Sequence, residues 1–262
     1  MIVAGVQMDI AWEDPRANFR RVEQLGAVAR AEGARLLALP EMFATGFSMR
    51  AEMVSHFAEE TCEFMAGLAR RLGVYVAGGF AEPEEPKPAN ACALFDPEGR
   101  ELLRYRKIHP FSLGTENEHY SAGEGVETAE VEGVHVTPLI CYDLRFPEVF
   151  RPAAAQTHLF LVLANWPEPR REAWAVLLRA RAIENQAFVL GVNRTGVGGG
   201  ETYRGDSVLV GPLGAVLAAP GPAGLVVGEV DPASVREVRE RLGFLRDRRP
   251  EVYRRLEERP PS

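Results

Sequence analysis

The sequence predicts an α/β fold in which a mixed sheet is covered by helices. Short apolar runs alternate with stretches of helical periodicity along most of the chain. Turn sequences, DPEG at 96–99 and GPLG at 211–214, each join two apolar runs and indicate hairpins. Because strand–helix–strand units give parallel strands and hairpins give antiparallel ones, the sheet should contain both.

The first half of the chain predicts strands and helices in turn. Met1–Met8 has the pattern of a buried strand, and Asp14 followed by Pro15 marks the start of a helix that continues to about Glu32. The later elements of this half are a strand at Arg35–Leu39, a helix at Val54–Leu72, a strand at Val74–Phe80 and hairpin strands at Asn90–Phe95 and Leu102–Lys107.

The second half begins with a long polar connection at residues 110–130, which we expect to be a lid because unstructured loops of this length are usually functional. The glycine run at 198–200 has no helix after it, which favours a turn over a phosphate-binding loop. The predicted elements are strands at Val134–Ile140, Leu159–Ala164, Ala187–Asn193 and Leu225–Val230, a hairpin at Asp206–Ala218, and helices from Pro147 and at Glu172–Asn185.

Length and composition indicate one ordinary globular domain. The chain has 262 residues, of which 46% are hydrophobic and 26% charged, so it can bury a substantial core. We expect a single domain over residues 1–242 and an Arg/Pro-rich tail over residues 243–262. Arginines and glutamates alternate towards this end of the chain, a pattern typical of solvated helix faces and ion pairs.

Charge and cysteine content argue against several classes of protein. The formal net charge of −7 is unlike that of a nucleic-acid-binding protein. The first ten residues lack the pattern of a secretion signal, and no apolar run is long enough to span a bilayer. The three cysteines are widely spaced and form no CxxC pair. We therefore expect a cytoplasmic protein with reduced thiols, no metal, and neither a membrane nor a nucleic acid as partner.

Three reactive side chains each follow a predicted strand directly. Glu41 follows RLLALP, Lys107 follows RELLRYR and Cys141 follows VHVTPLI. Because strand ends in α/β sheets meet at a common crevice, we expect these side chains to converge. Only two of the 30 Lys and Arg residues are lysines, and Lys87 lies in a proline-rich loop, so Lys107 is the lysine to which we assign a specific role.

This combination suits a cysteine nucleophile. A thiol is only slightly ionised at neutral pH, so a catalytic Cys141 needs a base such as Glu41 or a cation such as Lys107. Attack on an amide carbonyl also creates an oxyanion, which Lys107 and the backbone N–H of Tyr142 could stabilise.

The remaining cysteines and the histidines define the alternatives. Cys62 lies in a predicted helix and Cys92 in a hairpin strand, where packing is the ordinary role of a cysteine. Imidazole is the commoner partner of a catalytic thiol. A Cys–His hydrolase that uses His109 or His119 is therefore a second hypothesis.

The segments ALPEMFATGF, YRKIHPFS and LICYDLRFPEVFR resemble the three signature segments of the nitrilase superfamily, in their usual order. The resemblance extends to ANWPEPR, LLRARAIENQAFVLGVNRTG and YRGDSVLVGPLG, and so covers most of the chain. It implies a four-layer α-β-β-α sandwich with mixed sheets. It also implies that Glu41 is the general base, Lys107 the electrostatic stabiliser and Cys141 the nucleophile, with no metal or organic cofactor.

The resemblance implies further site residues and an assembly. The family has a second glutamate in the lid, which corresponds here to Glu116, with Glu118 as the alternative. Relatives form dimers, so we expect a homodimer or a higher even-numbered homo-oligomer. The residues expected to bind substrate are Tyr142, Arg145, Asn165 and Trp166.

The segments CYDLRFPE, NWPEPR, RAIENQ and YRGDS are most similar to bacterial ω-amidases, which hydrolyse the terminal amide of 2-oxo acids. Such a substrate has a carboxylate that needs a charged or hydrogen-bonding partner. The candidate partners are Arg145, Arg170, Arg194 and Arg204. Alternative functions are hydrolysis of N-carbamoyl amines or amino acids, hydrolysis of deaminated peptides, and a non-catalytic scaffold with the same fold.

Overall fold

The computed structural model describes residues 1–258 of the chain. The strands are β1 (Ile2–Val6), β2 (Leu36–Ala38), β3 (Tyr75–Glu82), β4 (Ala89–Phe95), β5 (Glu101–Arg106), β6 (Ala129–Val131), β7 (Val134–Ile140), β8 (Leu159–Ala164), β9 (Phe188–Asn193), β10 (Thr195–Gly198), β11 (Glu201–Arg204), β12 (Val208–Val210), β13 (Val216–Ala218) and β14 (Leu225–Glu229). The helices are α1 (Pro15–Ala31), α2 (Ala51–Ser55), α3 (Ala58–Leu72), α4 (Glu116–His119), α5 (Pro147–Phe150), α6 (Arg171–Asn185), α7 (Pro232–Leu242) and α8 (Pro250–Glu257).

The first sheet has six strands in the order β14-β1-β2-β3-β4-β5. Strands β1, β2 and β3 are parallel, because helices connect them, whereas β14, β4 and β5 pair antiparallel with their neighbours. Strand β4 is antiparallel to β3, and β5 is antiparallel to β4, so β5 runs in the same direction as β2 and β3. Glu41 and Lys107 therefore both follow strands that end at the same edge of this sheet.

The second sheet also has six strands, in the order β13-β12-β9-β8-β7-β6. Strands β7, β8 and β9 are parallel, and the outer strands β12, β13 and β6 are antiparallel to their neighbours. Cys141 follows β7 and Asn165 follows β8, so they lie side by side at one edge of this sheet. Strands β10 and β11 form a separate antiparallel hairpin.

The two sheets pack face to face, and helices cover their outer faces. In β2, Leu36 and Ala38 pack in a core that also contains Leu139 of the second sheet. The intervening Leu37 points the other way, into a core shared with α1 and α3. Helix α6 covers the second sheet, because Trp174 is buried against the outer side of β9. The alternation of side chains along each strand thus builds both layers of core.

The four-layer sandwich expected from the resemblance is confirmed, and the mixture of parallel and antiparallel strands expected from the hydrophobic pattern is present in both six-stranded sheets. The hydrophobic pattern does not give the number of sheets. The hydrophobic pattern indicates that a strand is buried on both faces. It does not indicate which strands are neighbours in a sheet, because strands distant in sequence can pair. Strand β1, for example, pairs with β14 near the other end of the chain. Such a pairing has no local signature in the sequence.

The helix expected at Val54–Leu72 is two helices, α2 and α3, with a break at His56 and Phe57. The break has a packing cause. Val54 of α2 packs in a small core with Tyr120 of the lid, whereas Met65 of α3 packs in the core beneath the first sheet. A single straight helix could not direct side chains into both cores.

The predicted lid at residues 110–130 is more ordered than its sequence indicates, since it contains α4 and ends within the edge strand β6. Of the predicted tail, Pro250–Glu257 form the largely exposed helix α8, and residues 259–262 lie outside the described part of the chain. Over residues 1–258, no helix combines the length and the apolar character needed to cross a bilayer.

Candidate active site

Cys141 stands at a sharp turn where β7 ends. Its φ of +46° lies in the left-handed region, which a residue with a side chain adopts only when the surroundings enforce it. Cys141–Arg145 continue as a short 3-10 turn, and Asp143 accepts the backbone N–H of Ile140 at 3.0 Å. The Sγ of Cys141 lies 3.8 Å from the carbonyl oxygen of Asn165. The turn therefore presents the thiol at the edge of the sheet while its neighbours remain packed.

Glu41 lies in a segment that packs tightly on β3. The N–H of Gly79 donates to Pro40, and the N–H of Phe43 donates to Gly79, each at 3.2 Å. A Cβ at Gly79 would lie 2.7 Å from the Cα of Glu41, so only glycine permits this approach. The Glu41 side chain is fully buried, and its Oε2 accepts the backbone N–H of Asn165 at 2.7 Å. The first sheet thus fixes Glu41 against the end of the second.

The ammonium of Lys107 lies between two buried carboxylates. Its Nζ is 2.9 Å from Oε1 of Glu41 and 2.8 Å from Oε2 of Glu116, and all three side chains are fully buried. The other candidate glutamate of the lid, Glu118, is exposed. The lid therefore brings Glu116, and not Glu118, to Lys107.

The sequence reasoning missed one member of this cluster, Asn90 of β4. Its Nδ2 donates to Oε1 of Glu41 at 2.7 Å and to Oε1 of Glu116 at 2.8 Å. The only local signal is an asparagine within the otherwise apolar strand ANACALF. A buried asparagine needs hydrogen-bond partners, so this position could have been marked as polar and specific, although its partners could not be named.

Burial and charge set the protonation states of the cluster. Burial raises the pKa of the Cys141 thiol well above its ordinary value, the negative charge of Glu41 adds to this effect, and the positive charge of Lys107 only partly offsets it. Burial lowers the pKa of Lys107, but Glu116 and Glu41 outweigh burial and raise it overall. Burial also raises the pKa of Glu116. At neutral pH Lys107 is therefore charged and Cys141 is a thiol.

A cavity of about 190 Å³ is lined by Cys141 and by all four residues expected to bind substrate. Its size suits a small linear molecule and is below that of pockets for drug-sized ligands. The hairpin β10–β11, which the sequence pattern did not predict, contributes two further polar side chains, Glu201 and Tyr203. The full lining is Phe47, Met49, Phe111, Gly114, Cys141, Tyr142, Arg145, Asn165, Trp166, Pro167, Arg170, Gly199, Glu201 and Tyr203.

Two of the four candidate arginines line this cavity. The guanidinium of Arg145 lies 4.9 Å from the ring centre of Trp166, and that of Arg170 lies 5.1 Å from the ring centre of Phe111. Over residues 1–258, neither forms an ion pair with a carboxylate, unlike Arg171, which binds Asp206 at 2.9 Å. Arg145 and Arg170 are therefore free to bind an anion in the cavity.

The other two candidate arginines are engaged elsewhere and do not line the cavity. Arg194 is fully buried and donates to the Asp9 carboxylate at 3.2 Å and to the carbonyl of Ile10 at 3.0 Å. Arg204 forms an ion pair with Glu168 at 2.6 Å. Both guanidinium groups already have a carboxylate partner within the protein, so they are poor candidates for substrate binding.

The histidines of the alternative hypothesis also have other surroundings. His109 is half-buried, its Nδ1 lies 2.9 Å from the carboxylate of Asp143, and its ring stacks on Phe146. His119 is exposed at the end of α4. The histidine side chains do not line the cavity that contains the thiol of Cys141, and neither do Glu41 and Lys107. What sets the histidines apart is that His109 is held by Asp143 and His119 is exposed.

Residues 1–258 offer neither a cluster of metal ligands nor a phosphate-binding loop. In this part of the chain, no three His, Cys, Asp or Glu side chains are grouped so that they could hold a metal ion. The glycine run at 198–200 forms the turn between β10 and β11, with Gly199 and Gly200 in left-handed conformations. No helix N-terminus follows it that could bind a phosphate.

Known proteins that are similar to this chain include amidases. The ω-amidase YafV of Escherichia coli strain K12 is 37% identical over 92% of this chain and 94% of its own length. The 2-oxoglutaramate amidase of Bacillus subtilis is 34% identical over 96% and 98%, respectively. A solved structure of the amidase from Nesterenkonia sp. AN1, with acrylamide added to its active-site cysteine, is 30% identical and superposes with a TM-score of 0.87, covering 98% of this chain and 99% of that one.

The chain matches the carbon–nitrogen hydrolase family over residues 2–240, which is nearly its whole length. This match agrees with the four-layer fold and with the three signature segments. The chain therefore belongs to the carbon–nitrogen hydrolases of the nitrilase superfamily.

Proposed function

We propose that the protein hydrolyses small linear amides, with Cys141 as nucleophile. Glu41 removes the thiol proton, and the sulfur attacks the amide carbon, so that a C–S bond forms and the carbonyl electrons move to oxygen. Lys107 and the backbone N–H of Tyr142 stabilise this oxyanion. When it collapses, the C–N bond breaks, the nitrogen takes the proton from Glu41, and ammonia leaves a thioester on Cys141.

The second half of the reaction reuses Glu41. It removes a proton from water, and the resulting hydroxide attacks the thioester carbon. The C–S bond breaks, the carboxylic acid is released, and Cys141 recovers its proton. Because the ammonium of Lys107 is held by Glu41 and Glu116, it enters both steps already oriented.

We propose further that the substrate is the ω-amide of a 2-oxo acid. The observation that supports this most directly is the pair Arg145 and Arg170 in the cavity. Within residues 1–258 neither has a carboxylate partner, and a guanidinium is a suitable partner for the carboxylate at the far end of the substrate. The relatives from Escherichia coli and Bacillus subtilis, named ω-amidase and 2-oxoglutaramate amidase, support the same substrate class.

The test is ammonia release from a set of amides at equal concentration. We expect kcat/KM for 2-oxoglutaramate to exceed that for a neutral amide of similar length, such as butyramide, by at least about 100-fold, since a charged hydrogen-bonded partner stabilises binding by about 1.5–3 kcal/mol and two arginines are present. Preference for an N-carbamoyl compound or a deaminated peptide would contradict the substrate. If no amide releases ammonia and intact-mass measurement finds no acyl adduct on Cys141, the proposed activity is contradicted.

We propose a homodimer or a higher even-numbered assembly in the cytoplasm. Apolar side chains on the outer face of the second sheet and its helix support self-association, since Val176 and Ile183 of α6 and Val216 of β13 are 55%, 44% and 57% exposed. All three cysteines are free thiols, which suits a reducing compartment. Light scattering that gives a strict monomer at micromolar concentration would contradict the assembly.

A further inference from the structure

Asn90 contacts all three members of the buried cluster of Glu41, Lys107 and Glu116, and it does not line the substrate cavity. Its side-chain nitrogen donates one hydrogen bond to Glu41 and one to Glu116, at 2.7 and 2.8 Å. Its backbone carbonyl accepts the N–H of Lys107 at 2.8 Å. Asn90 is buried and does not line the cavity. Any effect on the reaction must therefore pass through the three charged residues.

The chemistry of the partners fixes which way the amide points. Carboxylate oxygens only accept hydrogen bonds, so both must face the NH₂ group of Asn90, which has two N–H donors. One donor serves each glutamate. An aspartate has the same shape as asparagine but no hydrogen-bond donor when it is ionised. Alanine has neither the donors nor the size of asparagine. Asparagine is thus matched to two ionised carboxylates.

The charge balance of the cluster explains why such donors are needed. Two carboxylates and one ammonium leave a net negative charge in a fully buried site, and the negative charge of Glu41 adds to burial in raising the pKa of Glu116. A proton on Glu41 would abolish its action as a base. A proton on Glu116 would release Lys107 from one of its two ionic partners.

We propose that Asn90 is a positioning residue that keeps Glu41 and Glu116 ionised and directed at Lys107. The proposal rests on the amide hydrolysis proposed above, in which Glu41 is the base. It assigns Asn90 an effect on the chemical step and none on substrate binding.

The test compares Asn90→Ala and Asn90→Asp with the unaltered enzyme on its best amide. For Asn90→Ala we expect kcat to fall roughly 100-fold with KM within about threefold, because misplacement of catalytic groups affects turnover. In a plot of kcat against pH, the fall in kcat on the acidic side should move to higher pH. The reason is that loss of the two N–H donors favours the protonated form of the carboxylates. The titratable groups that face these carboxylates, Lys107, Cys141 and Tyr120, are the same in both proteins.

Asn90→Asp separates donation from shape. If Asn90 only fills space, the aspartate variant should be more active than the alanine variant. If Asn90 donates to two carboxylates, the aspartate variant should be less active, because it places a third carboxylate in the cluster. A kcat for Asn90→Ala within threefold of normal, an unmoved acid limb, or a more active Asn90→Asp would each overturn the proposal.

The matched control is Asn185→Ala, which removes another buried asparagine whose Nδ2 donates to the carbonyl of Arg181 within α6, away from the cavity. We expect it to lose thermal stability but to keep kcat within about twofold. If Asn90→Ala does not fold, Asn90→Ser is judged by the same criteria.

Failure of this proposal can be told from failure of the proposed function. An active enzyme with normal Asn90 variants contradicts only the positioning role. If the unaltered protein hydrolyses no amide, the positioning role is read instead from alkylation of Cys141, whose pH profile reports the carboxylate charge beside the thiol. An Asn90→Ala profile identical to that of the unaltered protein would then overturn it.

Discussion

The carboxylate of Asp143 accepts two hydrogen bonds from His109, one from the backbone N–H at 3.0 Å and one from ring Nδ1 at 2.9 Å. Asp143 lies two residues after Cys141, and His109 lies two residues after Lys107. The contact therefore joins the turn that presents the thiol to the strand end that presents the ammonium. It also gives His109 a partner other than the thiol.

The first prediction separates a glutamate base from a histidine base. His109→Asn keeps a side-chain N–H for Asp143, so we expect kcat to remain within about fivefold. Glu41→Gln keeps shape but removes the base, and kcat should fall by roughly 10²–10⁴, the usual contribution of general base catalysis. Steady-state kinetics of the two variants provide the measurement. The opposite ranking would indicate a Cys–His pair.

The positions of Glu41, Lys107 and Cys141 could be predicted because each follows an apolar strand, and strand ends of a sheet share an edge. The contacts that hold these three side chains in place could not be predicted from the sequence. Asn90 is 49 residues from Glu41 and 26 from Glu116, and the contacts exist only because β4 lies between β3 and β5. No sequence spacing expresses such a contact.

The residues that line the cavity could likewise be predicted only in part from the sequence. Tyr142, Arg145, Asn165 and Trp166 follow parallel strands and could be named from the sequence. The hairpin β10–β11 could not, because its strands are short and largely without apolar alternation, so no period-two pattern marks them. Its residue Glu201 nevertheless lines the cavity.

The second prediction concerns the reactivity of the free thiol. Because burial and Glu41 raise the pKa of Cys141, its thiolate fraction at pH 7 should be smaller than that of an exposed cysteine, and it should grow as pH rises. We expect iodoacetamide to alkylate Cys141 more slowly than it alkylates glutathione at pH 7, with the rate still rising above pH 9. Peptide mass spectrometry, with Cys141→Ala as the blank, follows the modification. A plateau already at pH 7 would show a preformed thiolate.

The third prediction concerns the close packing at Gly79. A Cβ there would lie 2.7 Å from the Cα of Glu41 and 2.8 Å from the backbone nitrogen of Met42, and neither atom can move without shifting the base. We expect Gly79→Ala to lose about 1–3 kcal/mol of unfolding free energy and at least about tenfold in kcat. Urea unfolding and steady-state kinetics provide the measurements.

The control for this change is Gly67→Ala in α3. A Cβ at Gly67 would meet only the flexible ends of two arginines, Arg71 at 3.1 Å and Arg70 at 4.0 Å, and alanine is the better helix former by about 0.5–1 kcal/mol. Gly67→Ala should therefore preserve or raise stability and leave kcat unchanged. Equal effects of the two substitutions would argue against a specific contact between Gly79 and Glu41.

The fourth prediction identifies the partner of the substrate carboxylate. Arg145 and Arg170 both line the cavity and lack ion-pair partners within residues 1–258, so replacing the true anchor by methionine should remove a charged hydrogen bond that exists in both ground and transition states. Loss of such uniform binding raises KM and leaves kcat nearly unchanged. We expect one of Arg145→Met and Arg170→Met to raise KM for 2-oxoglutaramate by roughly 10- to 100-fold while sparing butyramide. Arg204→Met, which breaks only the exposed pair with Glu168, is the matched control and should change neither constant. If neither Arg145→Met nor Arg170→Met changes KM for the anionic amide more than KM for the neutral amide, arginine does not bind the carboxylate. A neutral substrate then becomes the better assignment.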